Sequence, residues 1–169
     1  MDNAPRLHVP KTSKHIVKQL RCAEPMWVKN DYLSRFPTAR RGAKALGHRF
    51  ERRVAASLSE AHPSFIDNLP FAINDYAGRR VVVPDGLLFT ADTITLIEIK
   101  LTHNIRAFWE MLLTYKPVVE QAFNKPVRML EICRNYDREA PFPVKTIIVS
   151  RLEDFITSKA PVGVLLWRG

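Results

Sequence analysis

No apolar run in this 169-residue chain approaches the ~18–20 residues that span a membrane as a helix. The longest candidates, around Val81–Phe89 and Thr93–Ile99, are strand-sized and broken by polar residues. The opening stretch MDNAPRLHVPKTSKH lacks the apolar segment of a secretory signal. Cysteine is scarce, and Cys22 and Cys133 lie far apart, which argues against a disulfide framework or a zinc cluster and favours a reducing, cytoplasmic setting. Glycine is also sparse, with six residues, and neither repeats nor low-complexity tracts occur. No HxxxH pair, CxxC, GxxxxGK loop or GxSxG elbow is present, so zinc hydrolysis, P-loop chemistry and a serine nucleophile lack support. What is present suits one soluble globular domain, since 46% of residues are hydrophobic.

Negative charge is the other thing in short supply, and the shortage is local. Residues 1–53 carry thirteen Lys and Arg against four Asp and Glu, and this accounts for the whole net charge of +9. The remainder is neutral. A positive field confined to one third of a chain suits a polyanion partner, because neutralising phosphates releases counterions. A merely solubilising basic surface is the alternative, and charge alone does not choose among DNA, RNA and an acidic lipid surface.

Residues 1–41 read as a basic N-terminal arm with Pro5, Pro10, Pro25 and Pro37, loop through Arg41 apart from a short basic helix at Lys14–Leu20. Residues 42–169 read as the folded domain, expected to fold without the arm. There Leu46, Phe50, Val54, Leu58 and Ala61 mark an amphipathic helix ending before Pro63. Strand-like runs follow at Phe65–Ile73, Arg80–Phe89 and Thr93–Leu101, with turns at Ala77-Gly78 and Ala91-Asp92. A second helix is expected over Asn104–Asn124, kinked or split by Pro117. Strands at Val127–Cys133, Lys145–Ser150 and Val162–Trp167 and a short helix at Leu152–Ser158 complete an α/β reading, a mixed sheet flanked by helices.

Chemistry concentrates at Val81-Val82-Val83-Pro84-Asp85-Gly86 and Glu98-Ile99-Lys100. In an extended Thr93–Leu101, Ile94, Leu96, Glu98 and Lys100 share one face, which begins apolar and ends with two charges about 7 Å apart. A hairpin turn near Thr90–Thr93 brings Asp85 back beside Glu98. Two adjacent carboxylates repel unless a cation lies between them, and Mg²⁺ takes such hard oxygen ligands while keeping several waters. An ordinary turn at Pro84-Asp85-Gly86 and a cross-strand ion pair at Glu98 and Lys100 are the plainer alternative.

Pro-Asp, a gap, then Glu-x-Lys resembles the motif of the PD-(D/E)XK nuclease superfamily, and the helix–three strands–helix–strand order from Gly42 to Cys133 resembles its restriction-endonuclease-like core. The resemblance implies a Mg²⁺-dependent nuclease, with Mn²⁺ able to substitute. Asp85, Glu98 and the Ile99 carbonyl would hold the metal, and Lys100 would orient or activate water and offset charge on the phosphate. Glu51, about 20° from Leu58 on the helix wheel, borders the buried stripe and matches a first-helix glutamate that binds metal directly or through water. A surface Glu paired within the helix is the alternative.

One departure stands out. Many relatives carry Gln four residues before a Tyr on the second helix, whereas here Met111 stands four before Tyr115; Gln121 is out of register, so either this chain does without the Gln or Tyr115 is simply core, the reading preferred. Arg40, Arg41, Lys44, Arg49, Arg52, Arg53 and His103 are the candidate nucleic-acid contacts, with surface or capping the plainer role for His103. DNA is the expected substrate, including branched or replication and recombination intermediates, with RNA left open and a catalytically inactive nuclease-fold protein, nucleic-acid-binding or structural, the rival. The arm, through Met26, Trp27, Tyr32 and Phe36, is alternatively a docking segment for a protein. A small phage-type or resolvase-like endonuclease is the nearest kind, which implies host cytoplasm or virion, and a homo-oligomer is left open.

Overall fold

A computed structural model describes residues 16–27 and 42–169 of the chain. The expected first helix, α1 (Ala43–Ala61), forms and buries Ala45, Phe50, Val54, Ala55 and Leu58. Its apolar stripe differs from expectation at both ends: Leu46 is 50% exposed and Ala61 is exposed. A helical side chain leans back over the preceding turn, and Leu46, in the first turn, has none to cover.

The strands are β1 (Cys22–Pro25), β2 (Phe65–Asp67), β3 (Phe71–Asp75), β4 (Gly78–Val82), β5 (Gly86–Phe89), β6 (Ile94–Thr102), β7 (Val127–Asn135), β8 (Ile147–Val149) and β9 (Val162–Leu166). Six of them make a mixed sheet in the order β2-β5-β6-β7-β9-β8, and the other three a second sheet, β1-β3-β4. In the larger sheet β2, β5 and β6 run antiparallel, while β6, β7, β9 and β8 run parallel.

Two expected strands are each cut in half. Phe65–Ile73 divides into β2 and β3, and Arg80–Phe89 into β4 and β5, so each run leaves one sheet for the other. The breaks fall at Pro70 and Pro84, which have no N–H to give a ladder, and Asn68 adds a left-handed turn at φ 49°. The turn at Ala77-Gly78 holds as expected, with Gly78 at φ 97°, a conformation a side chain would strain. The turn before β6 is closed by Thr90, whose amide and hydroxyl both donate to the Thr93 carbonyl at 2.9 Å.

The arm also departs from expectation where it is described. Residues 16–20 are not helical, and Cys22–Pro25 is a strand paired along β3 rather than loop. Buried Asp75 anchors this segment: Arg80 donates to it at 2.7 Å and to the Ile16 carbonyl at 3.0 Å.

The second helix is not broken in two by Pro117; its backbone stays helical through α2 (Ile105–Glu110), a π-helical turn (Met111–Tyr115) and α3 (Lys116–Phe123). Pro117 cannot donate to the Leu113 carbonyl one turn back, and the Val17 amide supplies that bond at 3.0 Å. Helix α4 (Leu152–Ser158) matches its expected bounds.

The larger sheet separates two cores. On one face Phe50, Val54 and Leu58 of α1 and Phe155 of α4 pack with Ile97, Ile99, Leu130 and Ile132. On the other, Phe108, Met111 and Val118 pack with Ile94, Leu96, Met129 and the small sheet's Phe71 and Ile73. Among the described residues no helix is long and apolar enough to cross a membrane.

Candidate active site

Strand alternation in β6 sends Ile97 and Ile99 to the α1 face and Ile94 and Leu96 to the α2–α3 face. Glu98 and Lys100 therefore project toward α2–α3. The pairing Gly86↔Ile97 sets Asp85, one residue earlier, opposite Glu98. Glycine at 86 is needed for packing, because a Cβ there would come within 2.5 Å of the Phe65 ring.

Asp85 is held by the backbone as well, its Oδ2 accepting the Ile99 N–H at 2.7 Å. A strand residue turns its N–H and C=O to the same side. The Ile99 carbonyl is therefore on the Asp85 side of β6. The Lys100 ammonium bonds Glu98 Oε1 and stands 4.0 Å from Asp85 Oδ2, providing the counter-charge of both carboxylates. Glu98 is 2% exposed, and its Oε2 is buried with no hydrogen-bond partner among the described residues.

The electrostatics follow from burial. Burial first, and Asp85 second, push the Glu98 carboxyl well above its usual range, while Lys100 pulls it back. Burial likewise raises Asp85 against the opposing pull of Lys100 and the Ile99 N–H. Glu51 is pushed up to about 7 by burial and by Asp85. Burial works against the charge on Lys100, but Glu98 and Asp85 outweigh it and hold the ammonium above its ordinary pKa. These four groups behave as one cluster.

Two further members lie on the second helix, Tyr115, which the sequence had marked, and Glu110, which it had not. Glu110, at the end of α2, acts on Asp85, Glu98 and Lys100 alike. Tyr115 is held protonated by burial and then by Glu98, Glu110, Asp85 and Glu51. An α-helical wheel puts Glu110 and Tyr115 about 140° apart. The π turn closes i→i+5 and brings residues five apart to one side. Both line a cleft of about 150 Å³ with Val81–Val83 and Thr114. Met111 is fully buried in the core, and exposed Gln121 bonds the Arg21 carbonyl at 3.2 Å, away from the cluster. On the α1 side Glu51 and Arg52 line a second hollow of about 250 Å³.

Of the candidate nucleic-acid contacts, Lys44, Arg49, Arg52 and Arg53 are exposed along α1. Arg40 and Arg41, like Tyr32 and Phe36, lie outside the described residues. His103 is a correction. Its side chain is wholly buried, Nδ1 bonds Glu131 Oε2, and Nε2 donates to the Ala140 carbonyl at 2.8 Å. With both nitrogens engaged between Tyr136 and Phe142, it is a core histidine and not a phosphate contact. Glu131 is the register partner of Glu98, so His103 balances the next carboxylate along the same face.

Among the described residues no group of three or more His, Cys, Asp or Glu side chains is arranged to hold an ion by itself. The donor set nevertheless suits a hard cation that retains waters: two adjacent carboxylates, one of whose oxygens, Glu98 Oε2, is buried with no partner among the described residues. Comparisons with protein-family models, curated proteins and solved structures find no match to this chain, which leaves the geometry to carry the functional reading.

Proposed function

We propose that the chain is a divalent-cation-dependent nuclease of the PD-(D/E)XK type that hydrolyses phosphodiester bonds in DNA. The observation that carries this reading is Asp85 opposite Glu98 with Lys100 bridging them, one Glu98 oxygen being buried without a partner among the described residues. Charge of this kind is costly to bury for structural purposes alone.

Asp85, Glu98 and the Ile99 carbonyl would hold Mg²⁺, or Mn²⁺ in its place. When bound, the ion polarises the phosphate and lowers the pKa of attacking water. Lys100, kept charged by its two carboxylates, orients that water and offsets charge growing on the phosphoryl oxygens. Glu51, poised to about 7, can hold or release a proton beside Asp85 near neutral pH. Tyr115 stays protonated and is a hydrogen-bond donor at the cleft wall. The exposed cations of α1 lie on the same helix as Glu51 and suit a DNA backbone.

The test is an assay on linear, nicked and branched DNA and on RNA, with and without Mg²⁺ or Mn²⁺. Lys100→Ala should lose most of its single-turnover rate while retaining DNA affinity. Absence of hydrolysis on every substrate would falsify the enzymatic reading and leave a nuclease-fold binding protein.

A further inference from the structure

The π turn in the second helix leaves Glu110 and Tyr115 in the lining of one cleft of about 150 Å³, together with Val81–Val83 and Thr114. Turns of this type recur at functional sites. The valines of the lining lead straight to the carboxylates: Val83 is two residues before Asp85, no more than ~7 Å of chain. The cleft thus connects Glu110 with the pair formed by Asp85 and Glu98.

Glu110 is half-buried, yet among the described residues it makes neither an ion pair nor a side-chain hydrogen bond. Its charge is felt by Asp85, Glu98 and Lys100 alike. Lys100, which attracts all three carboxylates, is already bonded to Glu98 and stands 4.0 Å from Asp85. Glu110 therefore adds repulsion to the cluster and gains no partner, so it has no structural use there.

A second observation does not depend on counting charges. Glu98 Oε2 is buried with no partner among the described residues, and it belongs to the carboxyl group whose Oε1 meets Lys100. The unsatisfied acceptor is thus inside the cluster. Both observations call for a positive group with protons to donate. A hydrated divalent cation is one, because Mg²⁺ keeps several of its waters and those waters are donors. Asp85, Glu98 and Glu110 are not grouped to close on one ion directly, which leaves Glu110 a contact through water. The cleft has room for several waters, each filling ~30 Å³ in the liquid.

We propose that Glu110 is a positioning residue of this site, its carboxylate accepting hydrogen bonds from the water shell of the cation that Asp85 and Glu98 hold. The assignment rests on the cation-dependent reading of the site, but not on its acting as a nuclease.

The test uses the full chain and its Glu110→Gln and Glu110→Leu variants, with Mn²⁺ affinity read from the paramagnetic resonance of the free ion in the absence of nucleic acid. Loss of a partner to a ligand's shell costs a metal site 10–100-fold in affinity as a rule, so Glu110→Leu should bind Mn²⁺ about 10–100-fold more weakly. Glu110→Gln loses the charge but keeps an acceptor, and should fall between Glu110→Leu and the wild type. Melting in EDTA should be at or above the wild-type temperature for both, since a like charge has been removed. Affinities equal to wild type in both variants overturn the assignment. Equal weakening in both also overturns it, because the field of the charge would then account for the whole effect. A wild type that binds no Mn²⁺ overturns it outright. A wild type that binds Mn²⁺ through Glu110 and cuts no substrate removes the nuclease reading and leaves the assignment; one that cuts while both variants bind normally does the reverse.

Discussion

At Glu98, burial and Asp85 oppose ionisation, and the Lys100 ammonium acts against both. Replacing the carboxyl by its neutral isostere relieves the repulsion, so Glu98→Gln should melt at or above the wild-type temperature while metal-dependent cleavage is lost. A variant with near-normal turnover would remove Glu98 from the site. Glu51 gives a pH signature. Its folded pKa of about 7 lies above the unfolded value of 4.5, so the folded chain keeps a proton that the unfolded chain releases between them. The stabilisation is fully present below about pH 4.5 and is lost as pH rises through 7. Relative to Glu51→Gln, the wild type should lose on the order of 2 kcal/mol between pH 5 and pH 8, measured by urea denaturation. His103 is different in kind: His103→Ala leaves the buried Glu131 Oε2 without its hydrogen-bond partner and should cost on the order of 2 kcal/mol, with the salt slope of DNA binding unchanged. A changed slope without loss of stability would restore His103 as a phosphate contact.

Among the elements, β1 has the least obvious sequence and much structural consequence. Four residues pair it along β3, Met26 N–H donates to the Pro70 carbonyl at 2.8 Å, and Val17 N–H caps the Leu113 carbonyl at 3.0 Å. Val17, Leu20 and Ala23 pack against the core around Phe71 and Phe123. Deleting residues 1–27 should therefore cost at least ~2 kcal/mol in burial alone. Deleting residues 1–15 should leave the melting temperature nearly unchanged, since the paired segment remains. Equal melting of the two truncations would show that β1 contributes nothing to stability. Periodicity did not mark β1 because a four-residue edge strand ending in proline carries too little alternation to register.

For the molecule as a whole, the carboxylate cluster sets a condition on cation binding. Groups with raised pKa must release protons before they can accept a metal, so binding should strengthen with pH. Adding Mg²⁺ or Mn²⁺ at 100 times its dissociation constant should stabilise the fold by ~2.7 kcal/mol at pH 8, with a smaller shift at pH 5.5. Thermal melting at the two pH values reads this directly. No shift with either ion at pH 8 would argue for an inert scaffold.

Where information was local, the sequence alone determined the outcome. The spacing of Phe50, Val54 and Leu58 specified α1, and the alternation of β6 with the turn at Thr90–Thr93 was enough to set Asp85 opposite Glu98. These depend on backbone period and on a hairpin closed within a few residues, both readable in a short window. The tertiary structure decided the rest. It distributed the runs broken at Pro70 and Pro84 between two sheets, turned Glu110 and Tyr115 to one side through a π turn, and buried His103 against Glu131. Each of those outcomes joins residues from separate elements, and the packing energy that selects them belongs to no single stretch of chain.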